Sequence, residues 1–151
     1  MSLIAVDIVL LPSLPIMNEV IELIDYSNDS VICLNAQNCL PHISLAMGVF
    51  DDKNIAEAGA VLNELAQRLD LLELEISRTQ TKTIADGKDI SEAVIDHNPR
   101  LTELHLELMK LLNPLLTHEN VQTNMFFSPP QVADISTTWV KHYFDKKTPS
   151  E

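Results

Sequence analysis

The sequence predicts an α+β fold, in which helices pack on mostly antiparallel strands. Two segments, 54–69 and 99–115, repeat apolar residues every three or four positions, as amphipathic helices do. Residues 72–76 instead alternate apolar and polar side chains, which is typical of a half-buried strand. With 151 residues, 46% of them apolar, the chain can bury one ordinary core. We therefore expect a single domain over residues 1–151.

The first half of the chain is predicted to contain three strands and two helices. Residues 3–11 form a short run rich in Leu and β-branched residues that stops at a proline, which favours a buried strand. A short helix is expected over 16–25. Residues 31–34 and 40–50 are apolar runs separated by "NAQN", so they are predicted to pair as an antiparallel hairpin. The helix at 54–69 follows.

The second half is predicted to begin with another hairpin. The alternating strand over residues 72–85 is followed by an Asp-Gly turn and by the strand-like residues 88–95. Asn98 is then expected to cap a long helix with Pro99 at its first position, and Pro114 marks its end.

The remainder of the chain has a weaker pattern. Residues 117–135 show no clear period and contain "SPP", so they are predicted to form a loop with one short strand at 121–127. Ser136 is expected to cap the last helix.

The acidic composition limits the kinds of partner that the chain can bind. The formal net charge is −12, and the ten basic residues are mostly scattered. Binding along a nucleic-acid backbone needs clustered Lys and Arg, so a long nucleic acid is not expected. A small phosphorylated molecule or a short RNA end remains compatible with this charge.

The two cysteines and the N-terminal segment predict a cytoplasmic protein. Cys33 and Cys39 lack the spacing of a zinc site and are too few for a disulfide framework, so both are expected to be buried thiols. The apolar opening segment has no basic leader, contains Asp7 and soon meets Pro12, which argues against a signal peptide or a membrane span. No metal or cofactor is expected.

The segment "LPHISLAMGVF" at 40–50 is predicted to have two unequal faces. In an extended strand, His42 and Ser44 point to the same side as Ala46 and Gly48, while the larger apolar residues point to the other side. We expect the larger residues to be buried and the first face to leave room for a ligand.

A histidine and a serine at alternate strand positions permit two interpretations. An imidazole titrates near neutral pH, and a hydroxyl beside it can hold one oxygen of the same bound anion, so His42 and Ser44 are a candidate phosphate pair. The alternative is a histidine that is hydrogen-bonded within the sheet, with a serine that only fills space.

The motif "LPHISL", preceded by a strand, a helix and a strand, resembles the first signature of the 2H phosphoesterase superfamily. This superfamily includes the 2′-5′ RNA ligase-like proteins and the cyclic phosphodiesterases. The resemblance implies two α+β lobes that face each other across a cleft, each with one H-x-[ST] motif. It implies metal-independent cleavage of a 2′,3′-cyclic phosphate or a 2′-5′ linkage, or the reverse reaction, with His42 transferring a proton and Ser44 holding phosphoryl oxygens.

The second H-x-[ST] motif of this superfamily does not occur within the 151 residues. We expect the C-terminal part to be truncated or incomplete, with the second motif beyond Glu151. If translation ends at Glu151, the alternative is a non-catalytic module that retains the cleft and binds a small phosphate ligand or a protein. Of the other histidines, His105 is expected to pack within a helix interface, and the rest are expected at the surface; these are His97, His118 and His142.

Overall fold

The computed structural model describes residues 3–26, 30–37, 39–84, 87–127 and 130–145. Its elements, in chain order, are β1 (Leu3–Leu10), α1 (Leu14–Leu23), β2 (Ile43–Asp51), α2 (Ile55–Gln67), β3 (Ile76–Thr83), β4 (Asp89–Ile95), α3 (Pro99–Leu112), β5 (Leu116–Thr117) and α4 (Pro130–Asp145). Strands β1, β2 and β5 form one sheet in that order, and β3 pairs with β4 in a second sheet. The β2–β5 and β3–β4 pairs are antiparallel. The predicted α+β class is confirmed.

The chain divides into two compact units. Among the described residues, the first unit contains 3–8, 44–73, 98–127 and 130–145, and the second contains the remaining ones. The predicted two-lobed arrangement of the 2H superfamily and the single domain over 1–151 stay predictions.

The core of the first unit lies between strand β2, the segment after β5 and helix α4. Met47 and Val49 of β2 pack there with Val121, Val140 and Tyr143. Helix α3 buries one face, which consists of Leu101, Leu104, His105, Leu108 and Leu112. These Leu residues recur three or four positions apart, as on one face of a helix. A Leu side chain contributes about 1.5–3 kcal/mol to folding stability when it is fully buried. The predicted apolar stripe of this helix is therefore confirmed.

Local sequence signals explain where α3 begins. The Asn98 side chain accepts hydrogen bonds from the backbone N–H groups of Arg100 at 2.9 Å and Leu101 at 3.3 Å. Pro99 occupies the first turn, where its missing N–H costs nothing. Both predicted start signals are confirmed, and the helix ends at Leu112, two residues before Pro114.

The second unit is built around the β3–β4 hairpin. Its register pairs Thr79 with Ala93 and Thr81 with Ser91, and the hydroxyl groups of Thr81 and Ser91 lie 3.0 Å apart. Gly87 lies in the connection between the two strands and has a φ of 71°, a conformation that glycine adopts without the steric cost of a Cβ. The hairpin itself is confirmed, although β3 begins at Ile76 rather than at residue 72.

The hairpin predicted between residues 31–34 and 40–50 is wrong. Among the described residues of this segment, the strand-like contacts are isolated bridges of Ser30 with Asp89 and of Asn35 with Cys39. The backbone N–H of Val31 donates to Asp89 O at 3.1 Å, and that of Leu34 donates to the Tyr26 hydroxyl at 2.8 Å. These partners accept hydrogen bonds from backbone N–H groups that would otherwise pair with a neighbouring strand.

Two predictions near the C-terminal end are also wrong. The segment 121–127 contains a 3₁₀ turn, Thr123–Met125, in place of a strand. Helix α4 begins at Pro130, so Ser136 is a buried residue inside the helix rather than its cap. Proline at a helix start was the stronger signal, because its fixed φ suits the first turn. Among the helices of the described ranges, none is long and apolar enough to cross a membrane.

The two cysteines differ from the prediction. Cys33 is exposed and Cys39 is half-buried, so the expectation of two buried thiols is wrong. Burial, followed by the proximity of Cys33, raises the pKa of the Cys39 thiol.

Candidate functional site

His42 lies directly before strand β2 and is exposed. Its ring Nδ1 lies 2.6 Å from the carbonyl oxygen of Leu40. Because a carbonyl oxygen can only accept, Nδ1 is the donor and carries the proton of the neutral ring. The basic lone pair of this tautomer is therefore on Nε2, which is the atom that can take up a proton.

Ser44 is the second residue of β2 and is held from two directions. Its hydroxyl donates to Asp7 Oδ2 of strand β1 at 2.7 Å. Its backbone carbonyl accepts a hydrogen bond from the Tyr143 hydroxyl of helix α4, also at 2.7 Å. Tyr143 is buried, so this contact ties the start of β2 to the core of the first unit.

The structure places the two predicted site residues in different units. Strand β2 begins at Ile43, so the predicted strand start at residue 40 is too early and His42 lies in the connecting segment. The boundary between the units falls between Ile43 and Ser44. Because Pro41 precedes His42 and cannot donate a backbone hydrogen bond, the segment before Ile43 is poorly suited to pairing in a sheet. The shared role of His42 and Ser44 stays a prediction.

The strand face that was expected to leave room is filled beyond Ser44. Ala46 is completely buried, and a Cβ placed on Gly48 would come within 2.8 Å of Leu116 Cδ2 and 3.3 Å of His118 Nε2. Both faces of β2 are thus covered between Leu45 and Phe50. The small residues allow β5 and the following residues to pack closely, so the expectation of a vacant face is wrong at these two positions.

Two histidine side chains cover one edge of β2. His105 of helix α3 is 1% exposed, and its Nδ1–H donates to the carbonyl oxygen of Leu45. His118 donates from Nε2 to the carbonyl oxygen of Met47 at 2.8 Å. The two carbonyls point to the same edge, since alternate residues of a strand share a hydrogen-bonding direction. These side chains replace the backbone partners that the two-residue strand β5 is too short to supply.

The predictions for the other histidines have mixed outcomes. His105 is a helix-packing residue with one satisfied nitrogen, as expected. His118 was expected at the solvated surface, but it is half-buried and hydrogen-bonded. His97 is exposed as predicted. The side chain of His142 lies outside the described residues.

Sequence reasoning missed Asp7 and Tyr143 as neighbours of Ser44. Asp7 interrupts an apolar strand, and this is a usable signal because a charged residue in such a strand must face solvent or a polar partner. Tyr143 lies 99 positions beyond Ser44, and no local pattern relates the two.

Burial of His118 predicts a pH dependence of stability. Desolvation lowers the pKa of His118 below its ordinary value, although the hydrogen bond to Met47 opposes this. The unfolded state therefore binds more protons, and the free energy of unfolding should decline as the pH falls from about 6.5 through the folded-state pKa. Urea unfolding at several pH values should show this decline for the parent chain and a weaker decline for His118→Gln.

The exposed His97 provides the control for this experiment. His97→Gln removes an imidazole without uncovering a buried carbonyl, so the decline should match that of the parent chain. An equal pH dependence in the His118→Gln variant and the parent would contradict the assignment of this effect to His118.

A cleft near His118 is a concave feature of the first unit. It has a volume of about 250 Å³ and is lined by Asn113, Leu116, Thr117, His118, Glu119 and Lys141. Ligand pockets usually enclose ~300–1,000 Å³, so this cleft suits only a small ligand or part of one. Neither predicted site residue lines it.

In the described ranges, no three side chains of His, Cys, Asp and Glu gather in a way that could hold a metal ion. Comparisons of the chain with family models, with curated proteins and with solved structures found no match. The residues at the beginning of β2 are therefore the candidate functional site.

Proposed function

We propose that the chain provides one histidine of a metal-independent phosphoesterase of the 2H type. Its substrate class is a 2′,3′-cyclic phosphate or a 2′-5′ phosphodiester at the end of a short RNA or on a single nucleotide. The single observation that carries the proposal is the exposed His42 ring, whose Nδ1 is fixed on the carbonyl oxygen of Leu40.

The tautomer of His42 suits acid and base chemistry at Nε2. In the neutral ring Nε2 accepts a proton from an attacking water, and the Leu40 carbonyl stabilises the imidazolium that forms at Nδ1–H. In the protonated ring Nε2 donates to the leaving oxygen instead. Such proton transfer contributes about 10²–10⁴-fold to a rate.

The proposed hydrolysis uses water as the co-reactant. The water oxygen bonds to phosphorus while its proton passes to a general base, and the bond from phosphorus to one ribose oxygen breaks. That oxygen takes a proton from a general acid, so a phosphomonoester and a free hydroxyl result. Two groups in opposite protonation states are needed, and the 2H superfamily uses the histidines of its two motifs.

Ser44 is assigned to contact the phosphoryl group in this proposal. Tyr143 fixes its backbone. Its hydroxyl donates its single proton to Asp7, so it turns from Asp7 to a phosphoryl oxygen when a ligand binds. The net charge of −12 favours a small ligand over a long polyanion, because each added phosphate is repelled by the acidic surface.

The test is incubation of the purified full-length protein with a 2′,3′-cyclic nucleotide in the presence of EDTA, followed by quantification of the phosphomonoester product. Turnover that persists in EDTA is the expected result. Turnover that EDTA abolishes contradicts a metal-independent mechanism. Binding of the nucleotide without turnover favours the alternative of a non-catalytic phosphate-binding module.

A further inference from the structure

Asp7 changes the ligand chemistry that Ser44 can offer. The Ser44 hydroxyl has one proton, and this proton is donated to Asp7 Oδ2 at 2.7 Å. A phosphoryl oxygen only accepts hydrogen bonds, so the hydroxyl has to turn away from Asp7 before it can donate to a ligand. The negative charge of the Asp7 carboxylate lies one hydrogen bond away from the Ser44 hydroxyl. In the proposed function this hydroxyl contacts a phosphoryl oxygen.

This arrangement opposes a second negative charge on the ligand more strongly than the first. A phosphodiester, including a 2′,3′-cyclic phosphate, carries one negative charge. A phosphomonoester carries close to two at neutral pH, because its second ionisation lies near pH 6. At a separation of about 5 Å in a water-like dielectric, each additional unit charge near a carboxylate lowers affinity about fourfold.

We infer that Asp7 is a specificity-determining residue that makes the Ser44 position favour singly charged phosphodiesters over doubly charged phosphomonoesters. This inference rests on the proposed function, because it requires Ser44 to contact the phosphoryl group. The same residue would promote product release, since ring opening of a cyclic phosphate converts a singly charged ligand into a doubly charged one.

Because Asp7 is exposed on strand β1, its effect on ligand affinity can be tested without disturbing the fold. Asp7→Asn keeps the size of the side chain and a polar atom beside the Ser44 hydroxyl. The substitution removes the negative charge. Tyr143 still holds the backbone of Ser44 in the variant.

The test compares two ligands that differ by a methyl group and one charge at pH 8: a 2′-deoxynucleoside 3′-monophosphate and its methyl ester, a phosphodiester. Neither has a 2′-hydroxyl that can attack phosphorus, so binding is measured without reaction by titration calorimetry. Asp7→Asn should tighten binding of the monophosphate by about fourfold or more relative to the phosphodiester. A purely structural role would change both affinities equally.

Glu57→Gln is the matched control, because Glu57 is an exposed acid of helix α2 and the change alters net charge identically. This control should leave the ratio of the two affinities unchanged. An unchanged ratio in Asp7→Asn, or an equal change in Glu57→Gln, overturns the inference.

Failure of the inference and failure of the proposed function give different results. If the parent chain turns over the cyclic nucleotide in EDTA but Asp7→Asn binds both ligands in the parental ratio, the inference alone fails. If the parent chain neither binds these ligands nor turns over the cyclic nucleotide, both fail.

Discussion

Replacement of His42 by Ala is expected to reduce turnover of a 2′,3′-cyclic nucleotide by about 10²–10⁴-fold. The variant loses the only group that the proposal assigns to proton transfer on this segment. Because the ring is exposed and bonds through Nδ1 to the adjacent Leu40 carbonyl, its removal should leave the fold intact. The measurement is product formation per enzyme in EDTA, with circular dichroism to verify folding.

His97→Ala is the control for this prediction, since it also removes an exposed imidazole and should retain parental turnover. A His42→Ala variant that is folded and fully active would eliminate the proposed mechanism. A folded variant that binds the nucleotide normally but does not react identifies His42 as a group that acts in catalysis rather than in binding.

Replacement of Leu108 by Ala is expected to destabilise the first unit by about 2–5 kcal/mol. Leu108 is 1% exposed on the buried face of α3, so truncation removes buried apolar contacts and leaves a cavity. Trp139, the single tryptophan of the chain, packs against the core of the same unit and reports its unfolding by fluorescence. The measurement is the urea dependence of that fluorescence.

Leu106→Ala makes the same change on the opposite side of the same helix. Leu106 is 47% exposed, so its truncation should alter the free energy of unfolding by less than about 1 kcal/mol. Equal destabilisation by the two substitutions would mean that the assigned buried face of α3 is wrong.

The elements with strong local signals were predictable from the sequence. Helix α3 has an N-cap, a proline in its first turn and a regular apolar stripe, and each acts within a few residues of where it occurs. The β3–β4 hairpin has alternating side chains and a turn glycine. Such features depend on backbone sterics and on the two side-chain periodicities, so no distant partner is needed to recognise them.

Elements whose hydrogen bonds are made by distant groups were not predictable in the same way. Residues 31–34 have the composition of a strand, but Asp89 and the Tyr26 hydroxyl take up their backbone groups. The edge of β2 is likewise covered by His105 and His118 rather than by a long strand. Several packings can satisfy a given backbone group, and the sequence pattern does not choose among them.

The candidate site also combines features that the local sequence predicts with contacts that only the tertiary structure shows. The sequence around residue 42 indicated an unusual histidine and serine in an apolar segment, because the charge, polarity and size of each side chain follow from its residue type. Only the tertiary structure brought Asp7 and Tyr143 to Ser44 and filled the space beside Gly48. Contacts between residues far apart in the chain depend on how whole elements pack, and local sequence patterns do not specify that packing.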